Sequence, residues 1–159
     1  MMSILKLTLM LKDKNIEAIY YPIFFESLVP RARNGSIAHF MGSDCTHLLF
    51  INSDIVFEPD AVLKLLDHDK EIIGGTYPKK YMRLDGSYPF DFTINGTIKI
   101  NDDNPELFKV SNIPSGFCLI KRELIMNLIN ANPQLRYINT MDEYASNDDN
   151  INGSFYNFY

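Results

Sequence analysis

The sequence predicts one α/β domain built in three layers, α/β/α, with helices on both faces of a mainly parallel sheet. Helical and strand patterns alternate along most of the chain, and this order is typical of strands joined by crossover helices. Some predicted strands are short, continuous apolar runs, the pattern of strands buried on both faces. The length of 159 residues suits one domain with a sizeable core.

The first part of the chain predicts two helices with a strand between them. Residues 2–14 carry apolar side chains at helical spacing, and Asn15 supplies a stop. Residues 16–25 are rich in β-branched and aromatic side chains, which favours a strand. We expect Ser27 to cap a second helix that runs to about Met41.

The next part predicts a second strand, a helix and a third strand. Residues 46–52 include the apolar run LLFI, which indicates a buried strand. Pro59 suits the first turn of a helix whose apolar stripe lies within residues 61–66. Residues 71–73 then predict a strand that ends at close backbone packing, because Gly74-Gly75 follows it.

A hairpin insertion and a final strand–helix pair complete the predicted fold. Two alternating runs within residues 92–100 flank Asn95-Gly96, the strongest hairpin signal in the chain. Residues 117–120 predict a buried strand, and residues 121–130 predict a helix. The polar tail, residues 139–159, gives no clear element.

Charge and cysteine content exclude several classes of protein. The chain has 15 basic and 20 acidic residues and a net charge of −5, so it lacks the general electrostatic footprint of a protein that binds nucleic acid or an anionic membrane. No segment reaches the run of about 18 apolar residues that a spanning helix requires. Cys45 and Cys118 are far apart, which predicts two buried thiols in a reducing compartment. We therefore expect a soluble, cytoplasmic protein.

A short segment after the apolar run at residues 48–51 carries side chains that suit a divalent cation. Asn52, Ser53 and Asp54 follow this run directly, and open parallel sheets bind ligands where their strands end. Side chains two residues apart on an extended segment share a face, so Asn52 and Asp54 can point into one cleft. Their oxygens suit Mg²⁺ or Mn²⁺ held jointly with a diphosphate. The structural alternative is that Asp54 only caps the following turn.

Three further segments offer positive charge or a close backbone approach. Arg31 and Arg33 lie near a predicted helix start, where guanidinium and backbone N–H groups suit a diphosphate or a carboxylate. Gly74-Gly75 is followed by Lys79-Lys80, and Ser115-Gly116 forms a turn that enters a buried strand. Each segment also has a structural interpretation. The alternatives are arginines that are solvated at the surface, lysines that face solvent, and a Ser115-Gly116 turn with a purely structural role.

Four segments of the chain share one order with the motifs of a known family. They are SLVPRARN (27–34), THLLFINSDI (46–55), GGTYPKK (74–80) and SGFCLIKR (115–122). In this order they resemble successive motifs of GT-A-fold glycosyltransferases, above all those encoded by large DNA viruses, phages and some bacteria. The resemblance covers roughly residues 1–122 and implies the Rossmann-like fold of nucleotide-diphospho-sugar transferases.

The resemblance implies a UDP-sugar donor and a divalent metal, Mn²⁺ or Mg²⁺. It aligns the family's D-x-D-type motif with Asn52, Ser53 and Asp54, so that Asp54 is the implied metal ligand. Asn52 stands where the family usually has aspartate, and its amide accepts a hydrogen bond but brings no charge.

The remaining motifs imply the donor-binding residues. Arg31 and Arg33 would hold the nucleotide end of the donor, and Lys79 would be a further counter-charge. Ser115 and Gly116 would line the donor-sugar or acceptor side. The acceptor would be a hydroxyl group of a glycan or a protein.

The resemblance also implies that the chain is clipped at both ends. The family has a strand before the opening helix and a Ser-Glu-Asp-type motif downstream, whose acidic residue is the general base in inverting members. We therefore assign no catalytic residue among the tail acids Asp142, Glu143, Asp148 and Asp149. The alternative hypothesis is an incomplete remnant or split subunit that binds nucleotide-sugar or glycan without turnover. Exposed sheet edges would then favour self-association or a partner chain. A nucleotidyltransferase is less well supported, because no Gly-rich phosphate loop lies near the N-terminus.

Overall fold

A computed structural model describes most of the chain, in two compact units. The described residues are 2–24, 26–79, 86, 93–101, 104–137 and 155–158. The first unit comprises Met1–Met10 and Leu49–Leu119, and the second comprises Leu11–Leu48 and Ile120–Tyr159. The single domain over residues 1–159 stays a prediction.

Helices and strands both occur in the described residues, so the predicted mixed α/β class is confirmed. In chain order the elements are α1 (Met2–Asp13), α2 (Val29–Met41), β1 (His47–Ile51), α3 (Asp60–Asp67), β2 (Ile72–Gly74), β3 (Asn95–Asn101), β4 (Asn104–Asn112), β5 (Phe117–Lys121), α4 (Arg122–Ala131), a 3-10 turn (Pro133–Leu135), β6 (Arg136–Tyr137) and β7 (Phe155–Tyr156). None of the helices in these ranges has the length and apolarity needed to span a bilayer.

The central sheet has three strands in the order β1-β5-β2. Backbone hydrogen bonds join Asn52 to Gly116 at one end of the β1–β5 pair and Thr46 to Arg122 at the other, which makes these two strands antiparallel. The predicted mainly parallel, Rossmann-like sheet is therefore wrong for the described residues. Parallel neighbours need a long crossover, usually a helix, whereas the chain between β2 and β5 contains the β3–β4 hairpin.

The predicted hairpin around Asn95-Gly96 is wrong, because residues 95–101 form one strand, β3, which belongs to a different hairpin. Strands β3 and β4 pair antiparallel, with Asn101 opposite Asn104 near the connection and Asn95 opposite Asn112 at the far end. This register aligns apolar residues, since Ile98 pairs with Val110. Pairing along a long strand thus outweighs the local turn preference of Asn-Gly. Phe92, part of the predicted hairpin, lies outside the described residues.

Each unit has its own set of buried apolar side chains. Those of the first unit are Leu7, Phe50, Val62, Leu65, Ile73, Phe117, Cys118 and Leu119. Those of the second unit are Leu11, Ile37, Ala38, Phe40, Ile120 and Ile125. Both cysteines are free thiols, Cys118 buried and Cys45 partly exposed.

Residues 16–24 do not form the predicted strand. The segment has no strand assignment, and most of its large apolar side chains are exposed, namely Ile16, Ile19, Tyr20, Tyr21 and Phe24. A strand needs a neighbour for its backbone groups, and none of the described strands pairs with this segment. Tyr21 stacks on His39 instead, with ring centroids 3.9 Å apart.

Helix α2 begins without the predicted Ser27 cap. Leu28 occupies the N-cap position, and no side chain caps it. The carboxylate of Glu26 accepts a hydrogen bond from the Leu28 N–H at 2.8 Å. Pro30 lies in the first turn, where the missing N–H of proline is tolerated.

Hydrogen bonds from Arg122 join the start of α4 to the end of α2. The Arg122 guanidinium donates to the carbonyl oxygens of Phe40 (2.8 Å), Ser43 (2.6 Å), Cys45 (2.6 Å) and Met41 (3.4 Å). It also lies 4.5 Å from the centroid of the Phe40 ring. The last carbonyls of a helix carry partial negative charge, so a guanidinium is well suited to bind them.

Candidate functional site

In the first unit, the turn that follows β1 presents polar side chains to solvent. Asn52, Ser53 and Asp54 are all exposed. The Ile55 N–H donates to the Asn52 carbonyl at 3.1 Å, which closes the turn. The turn therefore exposes one carboxylate at the carboxyl end of a strand, where the sequence predicted it.

Gly116 brings the start of β5 against this turn. The Asn52 N–H donates to the Gly116 carbonyl at 2.8 Å. A Cβ atom on Gly116 would lie 2.3 Å from the Tyr77 hydroxyl oxygen and 3.1 Å from the Asn52 amide nitrogen. Only glycine leaves this space, so the Tyr77 hydroxyl and the Asn52 amide both lie over bare backbone. The structure thus joins residues from the ends of three strands.

The glycine pair at the end of β2, Gly74 and Gly75, fixes the chain that leads to Tyr77. The Gly75 N–H donates to the Phe117 carbonyl at 3.0 Å. A Cβ on Gly75 would lie 2.5 Å from Phe117 Cδ1, and one on Gly74 would lie 2.6 Å from Ile113 Cγ2. The close backbone packing predicted at this pair is confirmed.

Tyr77 has contacts through both its backbone carbonyl and its hydroxyl. None of the sequence patterns had singled it out as a site residue. Its carbonyl accepts hydrogen bonds from the Thr93 N–H at 3.0 Å and the Thr93 hydroxyl at 3.1 Å. Its hydroxyl lies against Gly116. Its position in the sequence, as an aromatic residue between a glycine pair and a lysine pair, could have indicated it.

The other predicted residues of the first unit are less tightly placed. Ser115 is half-buried next to Gly116 in the chain, and Lys79 is exposed two residues after Tyr77. Lys80 lies outside the described residues. Asn52 and Gly116 are in contact, and Ser53, Asp54 and Ser115 are their neighbours in sequence.

Arg31 and Arg33 belong to the second unit. Arg31 binds Glu26 through two guanidinium nitrogens: Nε donates to Oε2, and Nη2 donates to Oε1 at 2.7 Å. The Glu26 side chain is only 2% exposed. Arg33 is buried, with 8% of its surface exposed. Neither residue is a solvated surface arginine, and the two predicted clusters fall in different units.

The Asn52–Asp54 turn fits a hard divalent cation only in part. No group of three or more His, Cys, Asp or Glu side chains that could hold a metal occurs in the described ranges. Asn52 and Asp54 supply two oxygen-bearing side chains, whereas Mg²⁺ prefers six oxygen ligands. A cation at this turn would therefore need phosphate oxygens and water to complete its coordination.

Comparisons of the chain with protein-family models, with curated proteins and with solved structures found no match. The resemblance to glycosyltransferases stays a prediction that depends on the four sequence motifs.

Proposed function

We propose that the chain is a glycosyltransferase that moves a sugar from a nucleotide-diphosphate sugar, a UDP-sugar, to an acceptor hydroxyl with the help of Mn²⁺ or Mg²⁺. The observation that carries the proposal is the exposed turn Asn52–Asp54, whose first residue is hydrogen-bonded to Gly116. An exposed carboxylate at a strand end, two residues after an amide that lies against the bare backbone of Gly116, is a suitable start for a diphosphate-sugar site.

The chemistry of sugar transfer explains why these groups matter. The nucleoside diphosphate leaves with growing negative charge, and stabilising this charge is usually the largest contribution to such catalysis. The cation, when bound, neutralises part of that charge. Asp54 would hold it, with the Asn52 amide as a hydrogen-bond acceptor or a weak further ligand. The Tyr77 hydroxyl would donate a hydrogen bond to the donor sugar.

The roles of the other predicted site residues are part of the same proposal. Lys79 would add positive charge near the diphosphate, and Ser115 and Gly116 would line the donor-sugar or acceptor side. The assignment of Arg31 and Arg33 to the nucleotide end stays a prediction from the resemblance, since both belong to the second unit and Glu26 already balances the charge of Arg31. The tail acids considered as general bases lie outside the described residues, so no base is proposed. The acceptor would be a glycan or a protein in the cytoplasm.

A second candidate is a chain that binds the donor without turnover, as a remnant or as one half of a split enzyme. The specific observation in its favour is that Asn52, an uncharged amide, occupies the first position of the turn. With one carboxylate instead of two, the turn attracts a cation less strongly. Self-association or a partner chain would complete such a site.

Calorimetric titration of the full chain with UDP tests the site. In the presence of Mn²⁺ we expect binding that weakens about tenfold to a hundredfold in Asp54→Asn, because one charged ligand is lost. Asp67→Asn is the matched control, since it removes one exposed carboxylate at the end of α3. Equal affinity of wild type and Asp54→Asn, or binding that survives removal of Mn²⁺ by EDTA, would contradict the proposed site.

Release of UDP from a UDP-sugar then separates the two candidates. Turnover by wild type that Asp54→Asn abolishes supports the transferase. Tight binding of UDP without any turnover supports the donor-binding protein.

A further inference from the structure

The second unit contains a groove at the start of α2. It is an open groove of about 530 Å³, and Leu28, Pro30, Arg31, Gln134, Arg136 and Tyr137 are among the residues that line it. This volume lies within the range of sites that hold small molecules. All the lining residues belong to one unit, so the groove can be described without reference to the Asp54 turn.

The walls of the groove are fixed by a buried amide. Asn34 is 3% exposed. Its nitrogen donates to the Asn157 side-chain oxygen at 3.1 Å, and its oxygen accepts from the Phe158 N–H at 3.1 Å. The Asn157 N–H in turn donates to the Leu135 carbonyl at 3.0 Å. Helix α2, the 3-10 turn and the end of β7 are thereby joined, so the groove exists before any ligand arrives.

The groove has an excess of one positive charge among the described residues. Two arginines line it, and the carboxylate of Glu26 balances Arg31 through paired hydrogen bonds. Arg136 is exposed, and no carboxylate in the described part of the chain pairs with it. A guanidinium binds carboxylate or phosphate groups through two parallel hydrogen bonds. Arg136 therefore suits one anionic group of a ligand.

The other polar groups of the groove suit hydroxyl groups. Burial raises the pKa of the Tyr137 phenol, and nearby Arg31 lowers it in part. The Asn157 amide nitrogen has no acceptor within the described ranges, and Gln134 adds a second amide. Hydroxyls both donate and accept hydrogen bonds, as these groups do. Leu28 and Pro30 provide apolar surface for the C–H face of a ring.

We propose that this groove binds an anionic monosaccharide, a sugar phosphate or a uronic acid, with its charged group on Arg136 and its hydroxyls on Tyr137, Gln134 and Asn157. The groove contains no residue of the Asp54 turn, and it shares only Arg31 with the predicted donor-binding residues. The two sources of negative charge share one chemistry, and the experiment distinguishes them.

Titration of the full chain by NMR or calorimetry with glucose 6-phosphate, glucuronate and glucose tests the proposal. We expect at least one anionic sugar to bind about tenfold or more tightly than glucose, since a charge-assisted contact is added. Arg136→Gln should remove this advantage, and Arg136→Lys should restore part of it. Tyr137→Phe, which keeps the ring, should weaken all three ligands by a few-fold because one hydrogen bond is lost.

Matched variants keep the result interpretable. Lys14→Gln removes one positive charge from an exposed position of the same unit, and it should leave binding unchanged. Equal binding of glucose and both anions, no binding of any of the three, or equal loss in Lys14→Gln and Arg136→Gln would overturn the proposal. UMP that binds more tightly than both anionic sugars and is lost in Arg136→Gln would also overturn it, because the groove would then be a nucleotide site.

Discussion

Replacing Arg122 with methionine tests whether its guanidinium holds the end of α2 in place. The substitution keeps an unbranched side chain and removes hydrogen bonds of 2.6 to 2.8 Å to the carbonyls of Phe40, Ser43 and Cys45. Because Arg122 is half-buried, water replaces part of what is lost, and we use the net value of about 1 kcal/mol for each bond. The cation–π contact with Phe40 adds about 0.5–1 kcal/mol. We therefore expect the free energy of unfolding to fall by about 3.5–4 kcal/mol.

Urea denaturation followed by circular dichroism measures this loss. Arg122→Lys keeps the charge but lacks the planar fork, so about half of the loss should remain. Arg136→Gln serves as the control, since Arg136 is exposed and a surface change of this kind stays within about 0.5 kcal/mol. A loss below about 1 kcal/mol in Arg122→Met, less than one hydrogen bond is worth, would refute the reasoning. Equal stability of the lysine variant and wild type would show that charge alone, and not the fork geometry, is required.

Two further predictions concern single side chains. Gly116→Ala places a Cβ atom 2.3 Å from the Tyr77 hydroxyl oxygen. We expect thermal or urea unfolding to show that the free energy of unfolding falls by about 1–3 kcal/mol because of overpacking. An unchanged stability would contradict the close contact. Tyr137 should titrate above the ordinary phenol pKa of 10.0, because burial raises it more than Arg31 lowers it. The contribution of the Tyr137 phenol to the free energy of unfolding is therefore fully present below pH 10.0, and it is lost as the pH rises through the higher folded-state pKa. Phenolate absorbance of wild type minus Tyr137→Phe measures this titration, and a difference curve centred at or below pH 10.0 would contradict it.

Local patterns predicted most helices and strands because their signals lie within a few residues. The stop at Asn15 is an example: the residue has a positive φ of 56° two residues after the end of α1, a conformation that asparagine tolerates better than most residues. The strand predicted at residues 16–25 failed for the opposite reason. A β pattern shows that a segment suits a sheet, but the neighbour that pairs with it is encoded elsewhere in the chain.

Sheet direction and hairpin register were not predictable in the same way. Asn95-Gly96 is a local turn signal, yet β3 begins at Asn95. The reason is that residues 95–101 pair with the long strand β4. The antiparallel direction of β5 follows from the route by which the chain reaches it. That route is a hairpin and a turn at Gly116, and neither is visible in the apolar pattern of β5 itself.

The candidate site shows the same division between local and distant information. Asn52, Asp54 and Gly116 were found because each stands at a predicted strand end. The contact of Tyr77 with Gly116 joins residues from two strand ends, and the amide pair of Asn34 and Asn157 spans 123 positions. The Arg31–Glu26 pair spans only five positions, and the acidic residue before the helix could have indicated it.

The single carboxylate at the Asn52–Asp54 turn has a consequence for the order of binding under the proposed function. One charged oxygen ligand and one amide leave most of the coordination of a divalent cation to phosphate oxygens and water. The cation would then bind more tightly when the diphosphate is present, and by linkage the diphosphate would bind more tightly with the cation by the same factor. A second carboxylate at position 52 would let the cation bind first. Under the proposed function the amide would instead make cation and donor bind as one complex, which is why the proposed titration uses UDP and Mn²⁺ together.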